Sequence, residues 1–135
     1  MKLVDFPLSE LADWLPNIWE MLKQACERSS GKYEPMDIVR AVYAKKMQLW
    51  NAIDEGKILA IGITEVVQYP HTKVCRLLAA TGEELAVLVQ VLPKLEEWAQ
   101  SIGCGWMEPI CRPGYKKALK ELGYTHQHEI LEKKL

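Results

Sequence analysis

The stretch that decides the fold is Leu77–Tyr124, LLAATGEELAVLVQVLPKLEEWAQSIGCGWMEPICRPGYKKALKELGY. A short apolar run passes through a Thr-Gly turn into a long helical pattern, then a second short run and a second helical pattern that closes on Gly123 and Tyr124. Strands separated by a helix pair in parallel, so the stretch is a crossover unit. Thr81 with Glu84 three residues on has the spacing of a capping box, which starts the first helix there. Apolar residues at Leu85, Leu88, Leu92, Leu95, Ala99 and Ile102, widened by Val91 and Trp98, give that helix a face broad enough to cover a sheet, and Gly103 stops it. Pro93 removes a backbone donor and crowds the preceding turn, so a kink or a break is expected at that point. The second helix, Pro113 to Leu122, has proline in its first turn and Gly123 after its end, the asymmetry helices prefer.

On the N-terminal side of this unit the pattern is that of strands. MQLWNAI, ILAIGITEVVQ and VCRLLAA, separated by DEGK and YPHTK, read as two hairpins giving three antiparallel strands. The strand expected at Gly105 to Cys111 contains Pro109, which cannot donate to a ladder and should leave one place poorly paired. Earlier still, Ser9 is placed to cap a helix whose face is Leu11, Trp14, Leu15, Ile18, Trp19, Leu22 and Ala25, with Pro16 dividing it in two. SSGK reads as a loop, and Pro35 opens another helix, buried along Ile38, Val39, Val42 and Tyr43 and ending near Lys46. Lys2 to Phe6 has the length of a short edge strand, and the tail Tyr124 to Leu135 alternates loosely enough to return as a final antiparallel strand.

A chain of 135 residues is the size of one ordinary domain, taken here as residues 1–135. With 49% hydrophobic and 26% charged residues it has the balance of a globular protein, and a formal net charge of -1 gives no electrostatic reason to bind nucleic acid. No apolar run approaches the roughly 20 residues of a membrane-spanning helix, and MKLVDFPLSE lacks the apolar centre of a signal peptide. The expectation is therefore a cytoplasmic protein without membrane contact. Cys26, Cys75, Cys104 and Cys111 form no CxxC pair and sit among apolar residues, which suits reduced core thiols.

In element order the chain resembles the GCN5-related N-acetyltransferases (GNATs) over nearly its whole length. The most specific piece is ALKELGY, which looks like the family's helix closing in a Gly-Phe or Gly-Tyr pair before a last strand. QLW, EEWAQSIGC and CRPGYKKALKELGY look closest to short GNAT-like proteins of tailed phages and prophages. The resemblance implies an α/β (α+β) fold, a mixed, mostly antiparallel central sheet with helices on both faces. It also implies acetyl-CoA bound where the third antiparallel strand and the parallel strand splay apart, its pyrophosphate on backbone N–H groups of a loop patterned Arg/Gln-x-x-Gly-x-Gly/Ala.

The matching segment here is AATGEEL, which places Ala80, Thr81 and Gly82 at the cofactor. It has one glycine, no Arg or Gln at its start, and two acids, Glu83 and Glu84, that suit a helix dipole and repel a pyrophosphate. The phosphate cradle reads as degenerate. The tyrosine that many family members use as general acid, four residues before the closing glycine, falls on Leu119; Tyr115 lies one helical turn earlier and has the ordinary alternative of a packed aromatic residue. The family's Asn at the start of this helix is replaced by Arg112.

Arg112, Lys116 and Lys120 recur every four residues and form a cationic stripe suited to a nucleotide phosphate or an acidic partner, against the commoner role of a solvated face. Glu65 and Glu108 are candidates for the general base toward an amine, if they point into the splay rather than sit at its rim. His126 and His128, one residue apart on a final strand, match no zinc spacing even with Cys104 or Cys111 nearby, so no metal is expected. Five tryptophans are many for this length, and an exposed one would mark a protein contact.

Two readings follow. The one ranked first is a GNAT-like protein with a degenerate CoA loop, non-catalytic, acting through a protein partner or self-association as a virion component or host-directed binder. The alternative is an acetyl-CoA-dependent N-acetyltransferase acting on a small amine or a protein amino group.

Overall fold

The computed structural model describes residues 1–82 and 84–135, the side chain of Glu84 excepted. In chain order the elements are β1 (Lys2–Val4), α1 (Leu11–Glu27), α2 (Pro35–Tyr43), β2 (Gln48–Asp54), β3 (Lys57–Gln68), β4 (Lys73–Gly82), α3 (Glu84–Ser101), β5 (Trp106–Pro109) and α4 (Lys116–Glu121). Short 3-10 turns at Leu8–Glu10 and Pro113–Tyr115 lead into α1 and α4. The strands form one sheet in the order β1-β2-β3-β4-β5, antiparallel throughout except for the parallel pair β4 and β5. This is the mixed, mostly antiparallel sheet expected.

Alternation along each strand divides the core in two. On one face Leu49, Ile61 and Ile63 pack against Ile18 and Leu22 of α1 and Ile38 and Val39 of α2. On the other, Trp50 and Leu77 pack against Leu88, Leu92 and Leu95 of α3 and Leu119 of α4. The β2–β3 hairpin turns on Glu55 (φ 49°) and Gly56 (φ 75°), two consecutive left-handed residues whose twist matches that of the strands. A void of about 30 Å³ remains between α3 and the sheet, lined by apolar side chains including Trp50, Ala52, Ala60 and Leu92.

Several local expectations are corrected. The first helix is not divided at Pro16, and the third is not broken at Pro93; both run through. In each the proline is exposed, so the carbonyl deprived of its donor faces water while the buried stripe on the other side holds the helix to the sheet. Ser9 lies inside the 3-10 turn and does not cap α1. The second helix ends at Tyr43, before Lys45 turns left-handed at φ 59°. The helix expected over Pro113 to Leu122 begins as the 3-10 turn and is α-helical only over Lys116–Glu121.

Thr81 is not a helix cap. It belongs to β4, is 0% exposed, and donates its hydroxyl to the Met21 carbonyl of α1 at 2.8 Å. Thr81→Val keeps the shape and removes this bond, and should cost about 1 kcal/mol, read as a lower urea midpoint at unchanged slope.

The tail does not return as a strand. Tyr124 closes α4 by donating its N–H to the Leu119 carbonyl, and the chain beyond it is irregular, touching Lys116 through Glu129 at 3.9 Å and Lys32 through Glu132 at 3.1 Å. His126 and His128 therefore share no strand face, and the His126 ring lies 3.0 Å from the His128 carbonyl.

Candidate active site at the β4–β5 fork

The sheet opens between its last two strands. Val74 to Leu77 pair with Trp106 to Pro109, the Ile110 N–H reaches the Leu77 carbonyl at 2.9 Å, and beyond that point Ala79 to Gly82 are paired with β3 and not with β5. Leu78 is the extra residue of a bulge, since Ile63 opposes Ala79 while Thr64 opposes Leu77. The fork is thus a strand edge that β5 leaves uncovered from Leu78 to Gly82. Pro109 does not weaken the ladder as expected. With the Ile110 N–H aimed at β4, alternation turns position 109 outward, so the missing donor falls on the open edge of the sheet. It also blunts that edge, one reason the tail finds no partner there.

At the crotch of the fork, on the α1 side of the sheet, Glu65, Arg76 and Glu108 stand side by side across β3, β4 and β5 as register partners. Arg76 donates to Glu108 Oε1 from Nε at 3.3 Å and from Nη2 at 3.2 Å, lies 3.6 Å from Glu65 Oε1 through Nη1, and donates from Nη2 to the Tyr69 hydroxyl at 3.0 Å. Burial pulls its pKa down, but the Glu108 bond and the charges of Tyr69 and Glu108 outweigh burial and hold the guanidinium above its ordinary value. The Glu65 and Glu108 side chains are 28% and 45% exposed, so both are within reach of a small molecule. Sequence reasoning proposed the two carboxylates and missed the arginine between them. Its signal was a lone charge in the apolar run VCRLLAA.

The proposed cofactor residues fall on two sides of the opening. Ala80, Thr81 and Gly82 are the last residues of β4 rather than a turn, and the Ala80 carbonyl accepts a long 3.5 Å bond from Arg28 Nη1 at the end of α1. The acids expected at the helix entrance, Glu83 and the side chain of Glu84, lie outside the described residues. Arg112 is exposed and extended (φ -68°, ψ 150°), ahead of α4, so it does not continue the helical stripe of Lys116 and Lys120. Tyr115 is half-buried against the core between α3 and α4, and Leu119 is fully part of that core.

Among the cysteines, Cys75 is 0% exposed and burial pushes its thiol up to about 12, Cys26 is also buried, in the core under α1 and α2, and Cys111 is exposed. Since the thiolate is the reactive form, a thiol reagent at pH 8 should label Cys111 first and leave Cys26 and Cys75 until urea unfolds the chain; rapid native labelling of all four would refute the burial pattern. Trp106 is the exposed tryptophan, 66% accessible on β5.

This architecture is found in solved acetyltransferases. A probable acetyltransferase matches with a TM-score of 0.73 at 14% identity, covering 100% of this chain and 97% of that one. Glucosamine-6-phosphate N-acetyltransferase from Arabidopsis thaliana matches at 0.69 and 16%, covering 98% and 97%. A predicted acetyltransferase from Clostridium acetobutylicum, solved with acetyl-CoA, matches at 0.68 and 12%, covering 98% and 95%. No family model and no curated protein matches the chain. The chain has the GNAT fold. The likeness is to acetyltransferases, and the expected kinship with phage proteins gains no support from it. Among the described residues no helix is long and apolar enough to cross a membrane.

Proposed function

We propose that the protein is an N-acyltransferase that takes an acyl group from acetyl-CoA to a primary amine, on a small molecule or a protein. The observation that carries this reading is the fork itself: an unpaired β4 edge from Leu78 to Gly82 with carboxylates from β3 and β5 at its crotch. The residues present fit the cofactor. Its pantetheine arm is an extended chain with two amides, matched to a strand edge that has backbone donors and acceptors to offer, and Arg28, Arg112 and Lys116 supply positive charge on either side of the opening for its phosphates. When bound, acetyl-CoA supplies the acyl group activated as a thioester. The chain's own part is to draw an ammonium in with Glu65 and Glu108 and take a proton from it, with Tyr115 left as the candidate to return one to the leaving sulfur.

A second reading, a non-catalytic interaction protein acting through a partner or through self-association, is favoured by the Arg28 contact at Ala80 and by the strand conformation of Thr81 and Gly82 where a phosphate loop is expected. Calorimetric titration with acetyl-CoA, with desulfo-CoA as control, separates the two. The acyltransferase reading expects a micromolar Kd, about -8 kcal/mol, weakened several-fold in Arg112→Ala and Lys116→Ala and less so at high salt. Absence of binding at millimolar acetyl-CoA sinks it in favour of the second.

A further inference from the structure

We infer that Arg76 is a positioning residue that divides the work of the two carboxylates, holding Glu108 as the proton acceptor for the incoming amine and using Glu65 as its own anchor. The inference rests on the acyltransferase reading and goes beyond it by assigning roles that the residue types leave equivalent.

Three geometric facts carry it. Glu108 belongs to the register pair next to the last before the strands part, on β5 itself, whereas Glu65 stands on β3, two strand spacings or roughly 10 Å across the sheet from β5. Both guanidinium bonds to Glu108 fall on Oε1, at 3.3 and 3.2 Å, so that oxygen is tied to Arg76 while Oε2 stays out of those bonds. On the far side, Nη1 faces Glu65 and Nη2 the Tyr69 hydroxyl, which pin the rigid guanidinium plane from two directions. The more exposed carboxylate is also the one nearer the opening. The proton step balances simply: an N–H bond of the ammonium breaks, the proton goes to Glu108 Oε2, and the electron pair stays on nitrogen as the attacking lone pair. Three charges of net -1 at this spot suit a single ammonium.

The test starts with the full-length protein, acetyl-CoA, and two probe acceptors, n-butylamine and a hexapeptide with a free N-terminal alanine. Glu108→Gln should lower kcat about 100-fold or more and leave the acetyl-CoA Kd by calorimetry unchanged. Arg76→Ala should lower kcat at least about tenfold with the same unchanged Kd, and Arg76→Lys should recover part of the loss, because lysine restores the charge without the two-bond fork. Glu65→Gln should cost less than Glu108→Gln by about tenfold. The lysine variant keeps the positive charge between the two carboxylates and guards against an Arg76→Ala protein that fails to fold. A Glu65→Gln loss equal to or larger than that of Glu108→Gln, or an Arg76→Lys as impaired as Arg76→Ala, overturns the division of roles while the acyltransferase reading stands. Wild-type protein that binds no acetyl-CoA, or acetylates neither probe, overturns both.

Discussion

Gly82→Ala is expected to lower stability by at least about 3 kcal/mol, as much as the loss of a large core side chain. A methyl group at position 82 would lie 2.4 Å from the Leu59 carbonyl oxygen and 2.7 Å from the Ala60 Cα, both backbone atoms of the paired strand β3 that cannot swing away. The residue also sits at φ +109°, where a side chain is strained whatever the space around it. Gly56→Ala separates the two causes. Its φ is +75° but nothing lies within 4 Å of the added carbon, so it should cost only about 1 kcal/mol. Urea unfolding followed by tryptophan fluorescence reads both, and a Gly82 variant no weaker than the Gly56 variant would mean that β3 and β4 do not approach as described. Relief of the clash requires the end of β4 to peel from β3. That end is the open edge of the fork, so the same variant should also bind acetyl-CoA less well than its residual folded fraction accounts for.

Gly82 also shows where sequence reading stops. Thr81 and Gly82, with an acid three residues after the threonine, match the spacing of a helix entrance, and nothing in the residues themselves says that β4 continues through them. The cause is the bulge at Leu78, which breaks the period-two pattern in LLAATG and turns Thr81 toward Met21. The hairpins were legible because their turns are written locally: DEGK demands left-handed residues and has them in Glu55 and Gly56. Prolines are legible as missing donors, but whether the loss matters depends on which side faces water, and at Pro16, Pro93 and Pro109 it is the exposed side or the open edge. The tail alternates only loosely and offers no apolar face to a sheet edge already blunted, so its pattern carries too little free energy to specify a strand.

The site follows the same rule. Glu65 and Glu108 can be picked out as acids near the expected splay, one by one. That a single arginine binds both is a property of register, which places Glu65 opposite Arg76 and Arg76 beside Glu108, and register is set by the turn at YPHTK and the length of the α3 crossover rather than by any of the three residues. Fold class is thus carried by many redundant signals, while the arrangement at the fork depends on two strand alignments.

Trp50→Ala is the second large effect, expected to cost about 3–5 kcal/mol. The side chain is 6% exposed in the core between the sheet and α3, and its ring meets Trp98 of α3 edge-on with centroids 4.8 Å apart. Its indole N–H donates to the Thr64 hydroxyl at 2.9 Å, and that hydroxyl, 0% exposed, donates in turn to Gln48 Oε1 at 2.8 Å. Truncation does three things at once. It removes the largest apolar surface under α3, it opens a cavity that merges with the existing void of about 30 Å³, and it leaves the buried Thr64 oxygen without its donor. Trp50→Phe isolates the last of these, keeping most of the ring volume and losing the bond, and should cost about 1–2 kcal/mol beyond the small volume change. Chemical denaturation gives both values, and the near-ultraviolet circular dichroism of the Trp50–Trp98 pair should vanish in the alanine variant while far-ultraviolet helix signal persists. Equal losses in the two variants would place the energy in the hydrogen bond rather than in packing. The distinction bears on the fork, because α3 follows β4 directly and is seated on the sheet through Trp98 and Leu92: a helix that shifts into the space left by Trp50 moves the end of β4 with it, so acetyl-CoA affinity should fall in Trp50→Ala and be retained in Trp50→Phe.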